Sequence, residues 1–377
     1  MKNKNSNRLG GLSTRILGVG AIGLAGLLGG AEMVLAQTVD DCLAPPHIVT
    51  HLRRSIYHRV GASIPEKVAL TQSHVLWRQA GNARDVFFVP AEFPRPTPTK
   101  KGKLNAKGAV IDFIAVTGRS PGTESIAFYS TLQGIHRSDL PANSGRLLLS
   151  PQRLGQAMTE LALHDQQRLV WVEDKDIWTA ESLGAGEWGP SVSVTHTPGR
   201  ERNPDTFGPH LVWEDATHGL IKYAMVSNLS RSVAVDEGRN PSVFGNYVVY
   251  EKDVDRPLQS CEWPSHSQLW GFGPLNDPSA RAFPLMPYGV SGASDCFEPI
   301  LTAVEVIFAC RFQGTPKTIL GVIPFRTPSD SQVTEIEELT DGFGYSIKGV
   351  RRARGSALLR VAFRDGRGGD ALTLIQR

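Results

Sequence analysis

Long apolar runs, net charge, helical periodicity and cysteine are all scarce in this chain, and each scarcity excludes something. The one marked apolar run, Ile16–Leu28, holds 13 residues. A helix needs roughly 20 to span hydrocarbon, so no transmembrane helix is expected. Beyond residue 36 the chain carries 36 basic and 36 acidic residues. That balance argues against nucleic-acid binding driven by phosphate neutralisation and against adsorption through a polybasic surface. Outside the apolar run no stretch keeps an amphipathic helical period, and 25 prolines and 38 glycines interrupt almost every candidate. A 41% hydrophobic composition still leaves ample material for a core.

The catalytic signatures are scarce too. There is no G-x-S-x-G elbow, no H-E-x-x-H and no H-x-H among the ten histidines. His164 and His210 fall between predicted strands and read as solvated turn residues. The four cysteines hold no C-x₂₋₄-C pair, so neither a metal nor another cofactor is expected.

The N-terminus reads as an address. Lys2, Lys4, Arg8 and Arg15 precede the apolar run, and Val34-Leu35-Ala36 offers small residues before a cut. This is the pattern of a cleaved signal peptide over residues 1–36, which places the protein in the periplasm or outside the cell. An even cysteine count in an exported chain permits two disulfides. Cys296 and Cys310 flank two predicted neighbouring strands, which favours that bridge and leaves Cys42 to Cys261. Free buried thiols are the alternative.

The strongest internal signal is a repeat. Arg202–Asp215 (RNPDTFGPHLVWED) and Arg239–Lys252 (RNPSVFGNYVVYEK) align without a gap. Weaker copies place aromatic anchors at Trp77, Tyr129, Trp171, Trp213, Tyr250, Phe308 and Phe363. Within each unit Pro204 or Pro241 starts a short strand and Gly208 or Gly245 turns the chain. A β-branched and aromatic run follows, then two further short strands. Four antiparallel strands per unit is a β-propeller blade, so the expected class is all-β, with seven blades favoured and six possible. A β-sandwich is the other architecture such turns allow. The chain ends on a third-strand position (Asp370–Ile375), so a tail at 37–66, around His47–Val60, is expected to supply the closing strand of a propeller at 67–377.

At Pro204, Gly208, Val212, Trp213 and Pro241, Gly245, Val249, Tyr250 the chain resembles the TolB-like propellers, exported bacterial proteins. Pro299 and Phe308 add partial support. The Ser-Pro-Asp-Gly turn of the best-known members is replaced here by Phe-Gly-Pro-His and Phe-Gly-Asn-Tyr. The resemblance implies an exported propeller and does not specify a ligand.

Two residue sets repeat at candidate sites. Arg202, Asn203, Arg239 and Asn240 precede the innermost strands, where they would form a polar funnel or pack the seams between blades. Glu173, Glu214 and Glu251 follow the anchors, with Asp174 and Asp215 beside two of them. They would form an acidic ring, or end solvated strands. Pro94–Lys107, with three prolines and four lysines, reads as a basic exposed loop. The leading expectation is a non-enzymatic exported scaffold that binds a protein, peptide or envelope glycan. The alternative is a polysaccharide lyase or glycosidase that uses the repeated acids.

Overall fold

The computed structural model describes residues 65–376 except 72, 80–84, 91–101, 107, 118–124, 143, 165–166, 255–266, 286–292, 304, 313–316, 326–333, 341–359 and 366–370. The expected signal peptide, the closing segment His47–Val60, Cys42 and Cys261 lie outside the described residues. Within them every regular element is a strand.

The strands fall into consecutive antiparallel units. β1 (Pro65–Leu70), β2 (His74–Gln79), β3 (Val86–Pro90) and β4 (Gly102–Lys103) form the first, which begins just ahead of the boundary expected at residue 67. β5 (Asp112–Thr117), β6 (Ser125–Thr131), β7 (Gly134–Leu140) and β8 (Ser144–Leu149) form the second. The third comprises β9 (Met158–His164), β10 (Arg168–Glu173), β11 (Asp176–Gly184) and β12 (Glu187–Trp188), with β13 (Val192–Ser193) also on β11. The fourth is β14 (Glu201–Phe207), β15 (His210–Asp215), β16 (Leu220–Met225) and β17 (Asn228–Glu237). The fifth is β18 (Arg239–Phe244), β19 (Tyr247–Asp253), β20 (Ser267–Gly273) and β21 (Arg281–Pro284). β22 (Ala293–Leu301), β23 (Glu305–Phe312), β24 (Lys317–Pro324) and β25 (Thr334–Thr340) make the sixth, joined to the fifth by a single parallel bridge between Ser267 and Asp295. A hairpin of β26 (Arg360–Asp365) and β27 (Ala371–Gln376) follows.

The core lies between units rather than within them. One cluster joins Val172 and Ile177 of the third unit to Leu211 and Trp213 of the fourth. The next joins Val212 and Ile221 of the fourth to Val248 and Tyr250 of the fifth. Trp213 and Val212 are neighbours on β15, so they point to opposite faces. A second strand is therefore covered on both sides, and all six residues of β15 are buried. That explains why these strands read as continuous apolar runs instead of alternating ones. Five of the anchors take the same side. Tyr129, Trp171, Trp213, Tyr250 and Phe308 each pack against the unit that precedes them.

The repeated proline does not start its strand. β14 begins at Glu201 and β18 at Arg239, and each proline sits behind a bulge. Arg202 pairs with Glu214 and Asp205 with Val212, so Asn203 and Pro204 together oppose Trp213. The missing proline N–H thus falls where the ladder already skips a bond. Asn203 and Asn240 have φ of 49° and 50°, the left-handed region that asparagine tolerates better than most residues. Glu160 and Glu298 hold the same position in β9 and β22, with φ of 53° and 51°.

Cys296 and Cys310 are directly opposed on β22 and β23 and form a disulfide. The basic Pro94–Lys107 segment is not a loop throughout, because Gly102–Lys103 pairs with β3 and Leu104 is buried.

Because Trp213 closes a seam with no exposed surface, Trp213→Ala should cost roughly 3–5 kcal/mol in urea unfolding. Leu183→Ala, at a position 69% exposed, should stay within about 0.5 kcal/mol of the parent.

Candidate functional site

The inner strands β1, β5, β9, β14, β18 and β22 converge on one cavity of about 590 Å³. Its charged lining is Lys67, Arg78, Asp112, Glu160, Asp205 and Glu298, four carboxylates against two cations. Asn203 and Asn240 also line it. Arg202 and Arg239 are not among the residues of its wall.

The sequence candidates assemble into two equivalent clasps. Glu214 Oε1 accepts from Arg202 Nε at 2.8 Å, and Glu214 Oε2 accepts from Asn203 Nδ2 at 3.0 Å. The same Oε2 accepts the backbone N–H of Asn240, in the next unit, at 3.2 Å. One unit on, Glu251 takes Arg239 Nε at 2.8 Å, Asn240 Nδ2 at 2.7 Å and the backbone N–H of Glu298 at 2.7 Å. Asn203 Nδ2 also donates to Asn240 Oδ1 at 2.6 Å, which links the two clasps. Each glutamate therefore binds its own unit's Arg-Asn pair and the left-handed amide of the next inner strand.

The third unit solves the same problem differently. Thr159 and Glu160 replace Arg and Asn, and the Glu160 carboxylate itself accepts the Asn203 N–H. Glu173 is left to accept from Arg153 N–H at 2.9 Å and Trp171 Nε1 at 3.3 Å. In the sixth unit Ala309 stands where Glu214 and Glu251 stand.

A second row of bonds runs deeper along the same strands. Asp112 accepts from Leu161 N–H, and Asp205 from Val243 N–H, both at 2.8 Å. Ser242 Oγ accepts from Leu301 N–H at 3.1 Å. The cavity wall is thus cross-linked at two levels.

Two expectations of solvation need correction. Glu173, Glu214 and Glu251 are 1–2% exposed, so they do not end solvated strands. Burial is tolerable because each carboxylate meets hydrogen-bond donors. His210 is fully buried at the head of β15, not a solvated turn residue, and its Nε2 meets Asn246 Oδ1 at 3.0 Å. Burial pushes its pKa down against that hydrogen bond.

A serine–histidine contact mirrors this seam. His74 Nδ1 lies 3.0 Å from Ser125 Oγ, at the heads of β2 and β6 in adjacent units. Ser125 has no exposed surface. It holds a seam and is not open to a substrate.

Glu160, Glu298, Asp205 and Ser242 escaped the sequence reading. Glu298-Pro299 repeats the Asn-Pro dipeptide with a different first residue, which was the available signal. Glu201 was missed as well. It has no exposed surface, Oε1 accepts from Thr197 Oγ1 at 2.8 Å, and Oε2 has no hydrogen-bond partner. Burial, reinforced by the facing Asp215, raises its pKa. Burial would raise Asp215 as well, but hydrogen bonds from Lys222 and His218 leave it lowered.

No family model matches the chain, and no curated protein matches its sequence. Solved structures do match. The WD40 domain of Neurospora crassa Pan2 is 10% identical, over 87% of this chain and 97% of that one, with a TM-score of 0.54. Staphylococcus aureus virginiamycin B lyase is 9% identical over 86% and 98%, with a TM-score of 0.51. Kuenenia stuttgartiensis hydrazine synthase gives 11%, 87% and 98%, with a TM-score of 0.52. The fold is a β-propeller. Each four-stranded unit is a blade, and likeness at this identity carries the fold alone.

Three outcomes follow from the clasps and from Glu201. Glu214→Ala strands a guanidinium, an amide side chain and a backbone N–H, so it should cost roughly 3–5 kcal/mol. Arg202→Ala should cost less, about 1–3 kcal/mol, because the Arg202 side chain is 37% exposed and Glu214 keeps the Asn203 and Asn240 donors. Glu201 has a folded pKa above its unfolded value, so its contribution is present at low pH. It is lost as pH rises from the ordinary carboxylate range through the raised value. Asp215 acts only below that range. Urea midpoints from pH 4 to 8 should therefore show Glu201→Gln gaining on the parent as pH rises.

Proposed function

We propose that the chain is an exported, non-enzymatic propeller whose axial cavity receives a basic segment of a protein or peptide partner. The supporting observation is the cavity itself. About 590 Å³ is an ordinary size for a ligand site, and its lining carries twice as many carboxylates as cations. A lysine or arginine side chain entering it would meet Glu160, Asp205 and Glu298 from three different blades.

The resemblance to TolB-like propellers and the N-terminal signal pattern support export to the periplasm or beyond. Seven blades are the favoured count. β26 lies against β1 much as β10 lies against β14 and β15 against β18. We infer from this likeness that the hairpin β26–β27 takes the second and third places of a last blade, and we propose the 37–66 tail as the source of its outer strand.

An enzyme acting on polysaccharide is the other reading of the acids. Retaining or inverting cleavage needs two carboxyl groups that flank the substrate. Glu214 and Glu251 are buried and committed to donors on both sides of a seam, which weighs against that role.

The test is fluorescence anisotropy of the purified full chain with labelled lysine-rich and glutamate-rich heptapeptides. The basic peptide should bind more tightly. Glu160→Gln/Glu298→Gln, which keeps an acceptor oxygen at each position, should weaken it at least tenfold, about 1.4 kcal/mol. Equal binding of both peptides, or none, would contradict the reading, and shortening of a polysaccharide on incubation would favour the enzyme.

A further inference from the structure

At the rim, far out along the blades, two arginines face each other. Arg137 on β7 is the direct cross-strand partner of Arg146 on β8. Like charges placed directly opposite on antiparallel strands repel, so sheet pairing gives no reason for this choice. Phe128 on β6 opposes Arg137 in turn, so Phe128, Arg137 and Arg146 form one row across the blade.

That row faces the β11–β12 hairpin of the next blade. Trp188 from β12 stacks edge-on against Phe128, with ring centroids 5.7 Å apart. Beyond it both guanidinium groups converge on Gly186. A Cβ at that glycine would overlap Arg146 Nη2 and would stand 3.3 Å from Arg137 Nη1. Gly186 has φ of 81°, so glycine also suits its backbone.

The charges around the pair do not balance. Arg137 Nε donates to Asp139 Oδ1 at 2.7 Å, within its own strand. Arg146 is exposed and donates Nη2 to the carbonyl of Gly186 at 2.7 Å. Among the described residues no carboxylate pairs with Arg146, and Glu187 on the facing hairpin makes no ion pair with it. One guanidinium therefore has a neutral acceptor, and its cationic neighbour has a single acid.

We propose that this arginine pair at the seam between the second and third blades is an anion site for one oxyanion group, a carboxylate or a phosphoryl or sulfuryl group. Two converging guanidinium forks offer planar, paired N–H donors, the arrangement that suits such groups. The bound oxyanion would sit over Gly186 and cancel the repulsion between Arg137 and Arg146. The site is separate from the axial cavity and does not depend on what that cavity binds.

The test uses the purified full chain in chloride buffer, with phosphate, sulfate or acetate added at constant ionic strength. At least one oxyanion should raise the melting temperature and bind measurably by isothermal titration. The ion that binds most tightly identifies the chemical source. Arg146→Gln should melt no lower than the parent in chloride and should weaken the oxyanion at least tenfold. Asp139→Asn removes the internal competitor, so it should strengthen binding. The inference is overturned if no oxyanion differs from chloride. It is equally overturned if Arg146→Gln lowers the melting temperature alike in every salt, because Arg146 would then serve only to hold the Gly186 carbonyl.

Discussion

An amide in the left-handed region of an inner strand cannot bond within its own blade, and the rest of the molecule is arranged around that fact. The bulge at Asn240 or Glu298 turns the backbone N–H away from the ladder toward the preceding blade. A buried amide without an acceptor costs on the order of 1–3 kcal/mol. Glu214 and Glu251 supply that acceptor from the second strands of the blades before. A carboxylate placed there must itself be compensated, and Arg202-Asn203 and Arg239-Asn240 provide for it from the same blades. Bulge, acid, arginine and asparagine are parts of one device.

The device fixes what the cavity can be. Asn203 and Asn240 form part of the wall, yet their side-chain amides are spent on the clasps, and the arginines lie behind them. The charge of the cavity wall therefore comes largely from residues that break the repeat. Glu160 and Glu298 put carboxylates where the fourth and fifth blades have asparagine, and Lys67 and Arg78 come from the first blade. Repetition builds the frame, and departures from it give the cavity its charge.

Much of the fold was legible in the sequence because blades must stack. The Trp213 and Tyr250 strands read as apolar runs since both faces are covered, and the Phe-Gly turns mark the hairpins between first and second strands. The Cys296–Cys310 pairing was legible because the sequence puts the two residues at neighbouring predicted strands, although they lie within β22 and β23 rather than flanking them. The bulge was not legible, since Asn-Pro signals a turn or a strand start equally well. Nor was the destination of the repeated acids. Spacing places Glu214 beside Arg202 in one blade, but its bond to the Asn240 amide crosses a seam that only three-dimensional stacking creates. The Arg137–Arg146 pair depends on strand register across a hairpin outside the recognised copies.

The most direct test of this account is native-state hydrogen exchange at the Asn240 and Glu298 amides. In the parent protein both should exchange slowly, through openings as costly as those of the blade cores. Glu214→Gln, with acceptor oxygen retained, should change little. Glu214→Ala should accelerate Asn240 selectively and leave Glu298, held by Glu251, protected beside it. Rapid exchange at both amides in the parent, or an Asn240 rate indifferent to Glu214→Ala, would mean that the blades are held by apolar packing alone and that the clasp is incidental.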